Sequence, residues 1–184
     1  LLGAGCTVTQ NGGGTAGAPP AGAVDGEWVA GAVKQGGLPG GALAGTINEK
    51  AVTIESVIIE DWGDKFRWNF SDVAPSSTCG FTSGASSVKL GSADFMKGTF
   101  SKALDTKVDF NDFSAYYVYP KADGTPNSVN TGWETTVVVT DYQENVGEDN
   151  FGKQVGSATG FVQIEFSDGK TEIAGAFTAD VCTK

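Results

Sequence analysis

The residue types that ordinarily do chemistry are few in this chain, and one is missing outright: none of its 184 residues is a histidine. That removes the usual general base near neutral pH, the common catalytic triads and the commonest transition-metal ligand. Gly147-Glu148-Asp149-Asn150-Phe151-Gly152-Lys153 matches the start of a phosphate-binding loop, but Gln154 stands where Ser or Thr would hold magnesium. Two acids inside that loop would repel a phosphate. Ser-x-x-Lys occurs at Ser86 and Lys89 and again at Ser167 and Lys170, without the companion motifs of penicillin-binding enzymes. Two acidic groups, Asp105 with Asp109 and Asp112, and Glu144 with Glu148 and Asp149, could offer oxygens to calcium. Neither has EF-hand spacing, and both read as solvated loops. Paired carboxylates could hydrolyse a glycoside, yet distance along the chain does not fix distance in space. The expectation is a non-enzymatic protein with no catalytic residue, no metal site and no cofactor.

Binding chemistry is better represented. Aromatic rings stack on the apolar faces of sugars, and Trp62 and Trp133 fall in loop-like stretches, whereas Trp68 belongs to a core alternation. Trp62 and Trp133 are therefore the candidate ligand contacts of a carbohydrate-binding module. Charge narrows the partners further. Twenty-two acids against 12 bases give a net charge of −10, which repels phosphate backbones and argues against nucleic acid. Solubility is sufficient reason for the acidity.

The three cysteines are Cys6, Cys79 and Cys182. Leu1-Leu2-Gly3-Ala4-Gly5-Cys6 resembles the end of a bacterial lipoprotein signal peptide running into the cysteine that carries the lipid, with Gly3 where that family usually has Leu. Residues 7–22 follow as an uncharged Gly, Ala and Pro spacer, the composition of a flexible tether. The resemblance implies acylation of Cys6, a membrane partner through the lipid, and a place in the cell envelope, at the outer membrane or cell surface. With Cys6 acylated, Cys79 and Cys182 remain as an even pair in a compartment where disulfides persist; two buried free thiols are the other reading. The ending that runs from Gly175 to Cys182 is similar in texture to β-rich envelope lipoproteins, a likeness that implies no activity.

The elements that must carry these residues divide the chain into a residual signal (1–6), a Gly- and Pro-rich arm or tether (7–42) and one β domain (43–184). Trp28, Val29 and Val33 interrupt the arm. A passive linker has no need of them, so part of the arm is expected to dock, on its own domain or on a neighbour. Docking on a neighbour would make the chain an assembly subunit that completes another copy's sheet.

Within the domain, residues 44–48 and 51–59 read as strands around a turn at Glu49-Lys50. Phe66-Arg67-Trp68-Asn69-Phe70 alternates strictly, placing Phe66, Trp68 and Phe70 on a core face. Residues 74–87 read as a surface loop, 92–96 as one helical turn, 98–101 as a strand, and 108–113 and 114–119 as extended. Residues 121–132 read as a loop, 135–142 as a β-branched strand, and 144–150 as an acidic loop. Asp168-Gly169 between alternating runs is a type I′ hairpin signal. It sets Ile164 opposite Ile173, Val162 opposite Gly175 and Gly160 opposite Phe177, with Val162, Ile164, Ile173 and Phe177 on one face. Short strands, regular turns and no amphipathic helix predict an all-β fold: an antiparallel β-sandwich or barrel with a Gly-rich extended N-terminal arm.

Overall fold

The structure, a computed structural model, describes residues 28–30, 38–75, 77–80, 85–92, 94–105, 114–149 and 154–182. The readings placed on Cys6, Val33, Asp109, Asp112, the extended stretch 108–113, and Asn150 to Lys153 of the loop-like motif lie outside them. The strands are β1 (Trp28–Ala30), β2 (Ala44–Ile47), β3 (Lys50–Thr53), β4 (Ser56–Asp61), β5 (Phe66–Ser71) and β6 (Ser87–Ser92). They continue as β7 (Gly98–Asp105), β8 (Ala115–Pro120), β9 (Pro126–Val129), β10 (Trp133–Glu148), β11 (Gln154–Phe166) and β12 (Glu172–Cys182). The fold is all-β, and no helix occurs among the described residues.

One sheet runs in the order β1-β7-β10-β11-β12-β4-β5-β6-β8-β9, open at β1 and β9, and β12 is where it divides. Glu172, Ile173 and Ala174 pair antiparallel with β2, which in turn pairs with β3. Asp180, Val181 and Cys182 run parallel to Ile58, Ile59 and Glu60 of β4, the one parallel pair of described strands. Either side of this seam the sheet turns its apolar faces inward, in a sandwich-like arrangement. Trp28 of β1 stacks on Trp68 of β5 at 6.2 Å between centroids, Phe177 of β12 meets Trp68 edge-on at 5.8 Å, and Phe166 of β11 meets Tyr117 of β8 at 5.1 Å.

The period-2 readings hold. Trp68 and Phe70 are buried, and Phe66 is packed against the core. β11 and β12 pair as expected, Ile164 with Ile173, Val162 with Gly175 and Gly160 with Phe177. At Gly160 a methyl group would overlap the Val138 carbonyl oxygen and press on the Phe177 ring, so only glycine fits opposite that phenylalanine. The turn is of another type, however. Gly169 has φ 69° but Asp168 is not in the positive-φ region, and the Gly169 N–H donates to the Phe166 carbonyl at 3.0 Å. This is a type I turn ended by a left-handed glycine. Asn48 (φ 50°) and Glu49 (φ 66°), between β2 and β3, take the type I′ form instead.

Other expectations are corrected. The strand read as 51–59 breaks at Ile54 and Glu55, whose N–H groups donate to the Leu43 and Ser71 carbonyls, so that the part before the break pairs with β2 and the part after it with β5. Asp94, Phe95 and Met96 are not helical; Phe95 instead inserts its ring among Trp28, Phe66, Trp68 and Tyr142. The loop 121–132 contains β9, an edge strand paired to β8 around the Asp123-Gly124 turn. The acidic stretch 144–148 continues β10, because pairing of Gly147 and Glu148 with Val155 and Gln154 satisfies its backbone past a bulge. Cys79 and Cys182 are disulfide-bonded, with 5.8 Å between Cα atoms and 103 residues of sequence separation.

Candidate functional site

The alternation that buries Phe66, Trp68 and Phe70 necessarily turns Arg67 and Asn69 to the opposite face of β5. The same rule sends Lys89 outward from between buried Val88 and Leu90 on β6, and Tyr116 outward from between buried Ala115 and Tyr117 on β8. Register then lines them up. Asn69 pairs with Lys89 and Lys89 with Tyr116, while in the adjacent row Glu60 pairs with Arg67 and Arg67 with Gly91. Gly91 contributes no side chain, and its N–H donates to the Ser114 carbonyl at 2.7 Å. The result is a groove of about 540 Å³ on the outer face of β4, β5, β6, β8 and β9, lined also by Ser128, Asn130, Lys65 and Trp62.

Trp62 reaches the groove through the β4–β5 turn. That turn is closed by the Trp62 N–H donating to the Lys65 carbonyl at 2.9 Å and by the Gly63 N–H donating to Asp61 Oδ1 at 2.6 Å, with Gly63 at φ 89°. The indole is 39% exposed. Its Nε1 donates to Glu60 Oε2 at 3.4 Å, and the Arg67 guanidinium carbon lies 3.8 Å from the ring centroid. Such a contact is worth about 0.5–1 kcal/mol at an exposed site. It holds the guanidinium fork over one indole face at the groove's edge. Deeper in, Lys89 Nζ donates to Asn69 Oδ1. Burial pushes the Lys89 ammonium below its ordinary range; Glu60 opposes that shift and Arg67 adds to it. The site thus combines an aromatic rim, hydroxyl and amide groups, three cations and one carboxylate.

The sequence candidates fare differently. Trp62 lies on the groove, but Trp133 is a correction: it opens β10 inside the core, 5% exposed, with Lys102 Nζ 4.9 Å from its ring centroid. A buried indole is not a platform, and the proposed pair is not formed. Trp28 and Val29 belong to β1, paired to Thr99 and Phe100 of β7, and the Trp28 ring packs on Trp68, Phe95 and Phe100 of its own chain. Glu144 and Glu148 lie along β10, not in a loop. Among the described residues no three His, Cys, Asp or Glu side chains gather closely enough to hold a metal ion. Arg67, Asn69 and Tyr116 were not singled out from sequence, and Lys89 only as part of a rejected Ser-x-x-Lys match. The available signal was their position: each is the polar or amphipathic residue between two core residues of a strand. No family model matches the chain, and neither a curated protein nor a solved structure is found to match it.

Proposed function

We propose that this chain is a non-catalytic binding domain of the cell envelope or surface, and that the groove beside Trp62 takes a saccharide. The observation that carries the reading is the groove itself, where an exposed indole at the rim adjoins Asn69, Lys89, Tyr116 and Ser128 on their strands and Asn130 just past β9. An aromatic face beside hydrogen-bonding side chains is what a pyranose presents its own apolar face and hydroxyls to. The envelope part rests on the Cys79–Cys182 disulfide, a bond that persists in oxidising compartments, and on the lipoprotein-like start. An acyl group on Cys6 would supply the membrane anchor. The arm-exchange alternative gains nothing from Trp28, because that ring is already packed within its own chain.

Binding of the full chain to an array of neutral and acidic glycans tests the groove, followed by calorimetry on the best ligand. Trp62→Ala is expected to weaken binding tenfold or more, and Trp62→Phe to retain most of it. Binding unchanged by Trp62→Ala, or no glycan bound at all, refutes the saccharide reading. Intact mass of the natively expressed protein tests the anchor, which fails if Cys6 carries no acyl group.

A further inference from the structure

We infer that the saccharide this groove takes is acidic, carrying a carboxylate or a sulfate that sits against Arg67 and Lys89. The inference rests on the saccharide reading of the same groove and goes beyond it to the ligand's charge.

Three features point that way. The first is the local charge. Lys65, Arg67 and Lys89 face the groove against Glu60 alone, so the groove lining is net cationic by two in a chain whose net charge is −10. A groove that served only neutral hydroxyls would have no reason to concentrate three of the chain's 12 bases. The second is the balance of donors and acceptors. Arg and Lys are donors only, and Glu60, which accepts from Trp62 Nε1, is the one anionic acceptor in the lining. The charged groups of the groove therefore favour a ligand that brings acceptors, and anionic oxygens make the strongest such bonds. The third is presentation. The guanidinium lies 3.8 Å from the indole centroid and so is held in place before any ligand arrives. Lys89 is fixed by Asn69 and partly stripped of water, so an anion would restore the solvation its ammonium has lost. Carboxylate and sulfate share this chemistry. A nucleic acid does too, but a chain of net charge −10 repels a long polyanion of any kind, which favours a short acidic saccharide over a phosphate backbone.

The test uses the full-length chain and three ligand sets: oligogalacturonate and other uronate oligomers, the methyl-esterified oligogalacturonate as its uncharged counterpart, and sulfated oligosaccharides. An acidic set should bind about tenfold or more tighter than the ester, a ratio equal to about 1.4 kcal/mol. Lys89→Gln and Arg67→Gln should each cut that preference to about twofold, weakening the acidic ligand more than the ester. Arg67→Lys, which keeps the charge but loses the fork, should fall between. Thermal melts of each variant confirm that it is folded. Which acidic set binds tighter identifies the anion. Equal affinity for acid and ester, or a preference that survives both Gln variants, overturns the inference while leaving the saccharide reading standing; failure of every saccharide, neutral ones included, overturns both.

Discussion

Removal of the Cys79–Cys182 bond should weaken this protein first at the seam where β12 meets β4. Among the described residues the two sides of the sandwich-like fold are joined in the sheet order only through β12 and β4, and that seam is three residue pairs long. Cys182 ends it, buried and bonded to Cys79 across 103 residues. In the chain-entropy treatment, cross-linking a loop of about 100 residues removes about 4.7 kcal/mol of freedom from the unfolded ensemble at 25 °C. In a domain of this size each kcal/mol moves the melting temperature by about 2–4 °C. The Cys79→Ser/Cys182→Ser double variant is therefore expected to lose about 4–5 kcal/mol in urea unfolding followed by tryptophan fluorescence. The corresponding drop in Tm is roughly 10–20 °C. Amide exchange adds a local readout: protection should fall first at the paired residues of β4 and β12 along the seam, and last in the β10–β11 ladder. A loss below about 1 kcal/mol would refute the reasoning, as would a uniform loss of protection with no priority at the seam.

Three further outcomes are expected. Phe177→Ala removes a 6%-exposed ring packed edge-on against Trp68, at a cost of about 3–5 kcal/mol; a urea midpoint close to wild type would mean that the two faces do not meet there. Tyr117 donates to Asp168 Oδ2 at 2.7 Å, and burial first, then that carboxylate, make its phenol harder to ionise folded than unfolded. Its contribution is thus full below pH about 10 and is lost as pH climbs beyond that. Tyr117→Phe should be less stable at pH 8 by about 1.5–3 kcal/mol yet flatter above pH 10, with the residual slope due to Tyr142, which burial also raises; parallel alkaline profiles would contradict this. Burial raises the Asp180 carboxyl above its usual range, so at neutral pH the folded state holds an ion it disfavours. Wild-type stability from this group grows as pH falls through the raised value and levels off below about pH 3.9, the unfolded one. Asp180→Asn should be the more stable protein at pH 7 and equal near pH 3, and an Asn variant weaker at pH 7 would refute the assignment.

The parts of the fold legible in the sequence are those where burial on one face leaves a period-2 record. Phe66, Trp68 and Phe70 left one, and so did β11 and β12, whose register followed from the position of the Asp168-Gly169 turn whatever its type. The turn type itself was misread because Asp168-Gly169 suits more than one turn, and only the φ of Asp168 distinguishes them. The β9 strand, Pro126–Val129, has no apolar alternation to read: it is an edge strand held by backbone pairing to β8. The acidic end of β10 was hidden for the opposite reason. Charged side chains look like loop, but an exposed ribbon needs only its backbone partners in β11. The parallel β12–β4 seam leaves no local trace, since its partners are more than 100 residues apart.

The groove shows why a site of this kind is harder to read than the core beneath it. A core residue is marked by its own type, whereas Arg67, Lys89 and Tyr116 are each unremarkable in composition and acquire meaning only when three strands are set in register. Trp62 was visible because exposed tryptophan in a turn is conspicuous alone; Trp133 was equally conspicuous and proved to be core. What separates them is not the residue but the strand it belongs to: Trp133 opens β10 on its buried face, and Trp62 follows Asp61, the last residue of β4, where the chain leaves the sheet. The same alternation that packs Trp68 inward aims Arg67 outward beneath Trp62. Arg67 and Asn69 of the groove are thus the outer face of a strand whose apolar alternation is plain in the sequence, and the polar positions of that strand marked the groove that the apolar ones concealed.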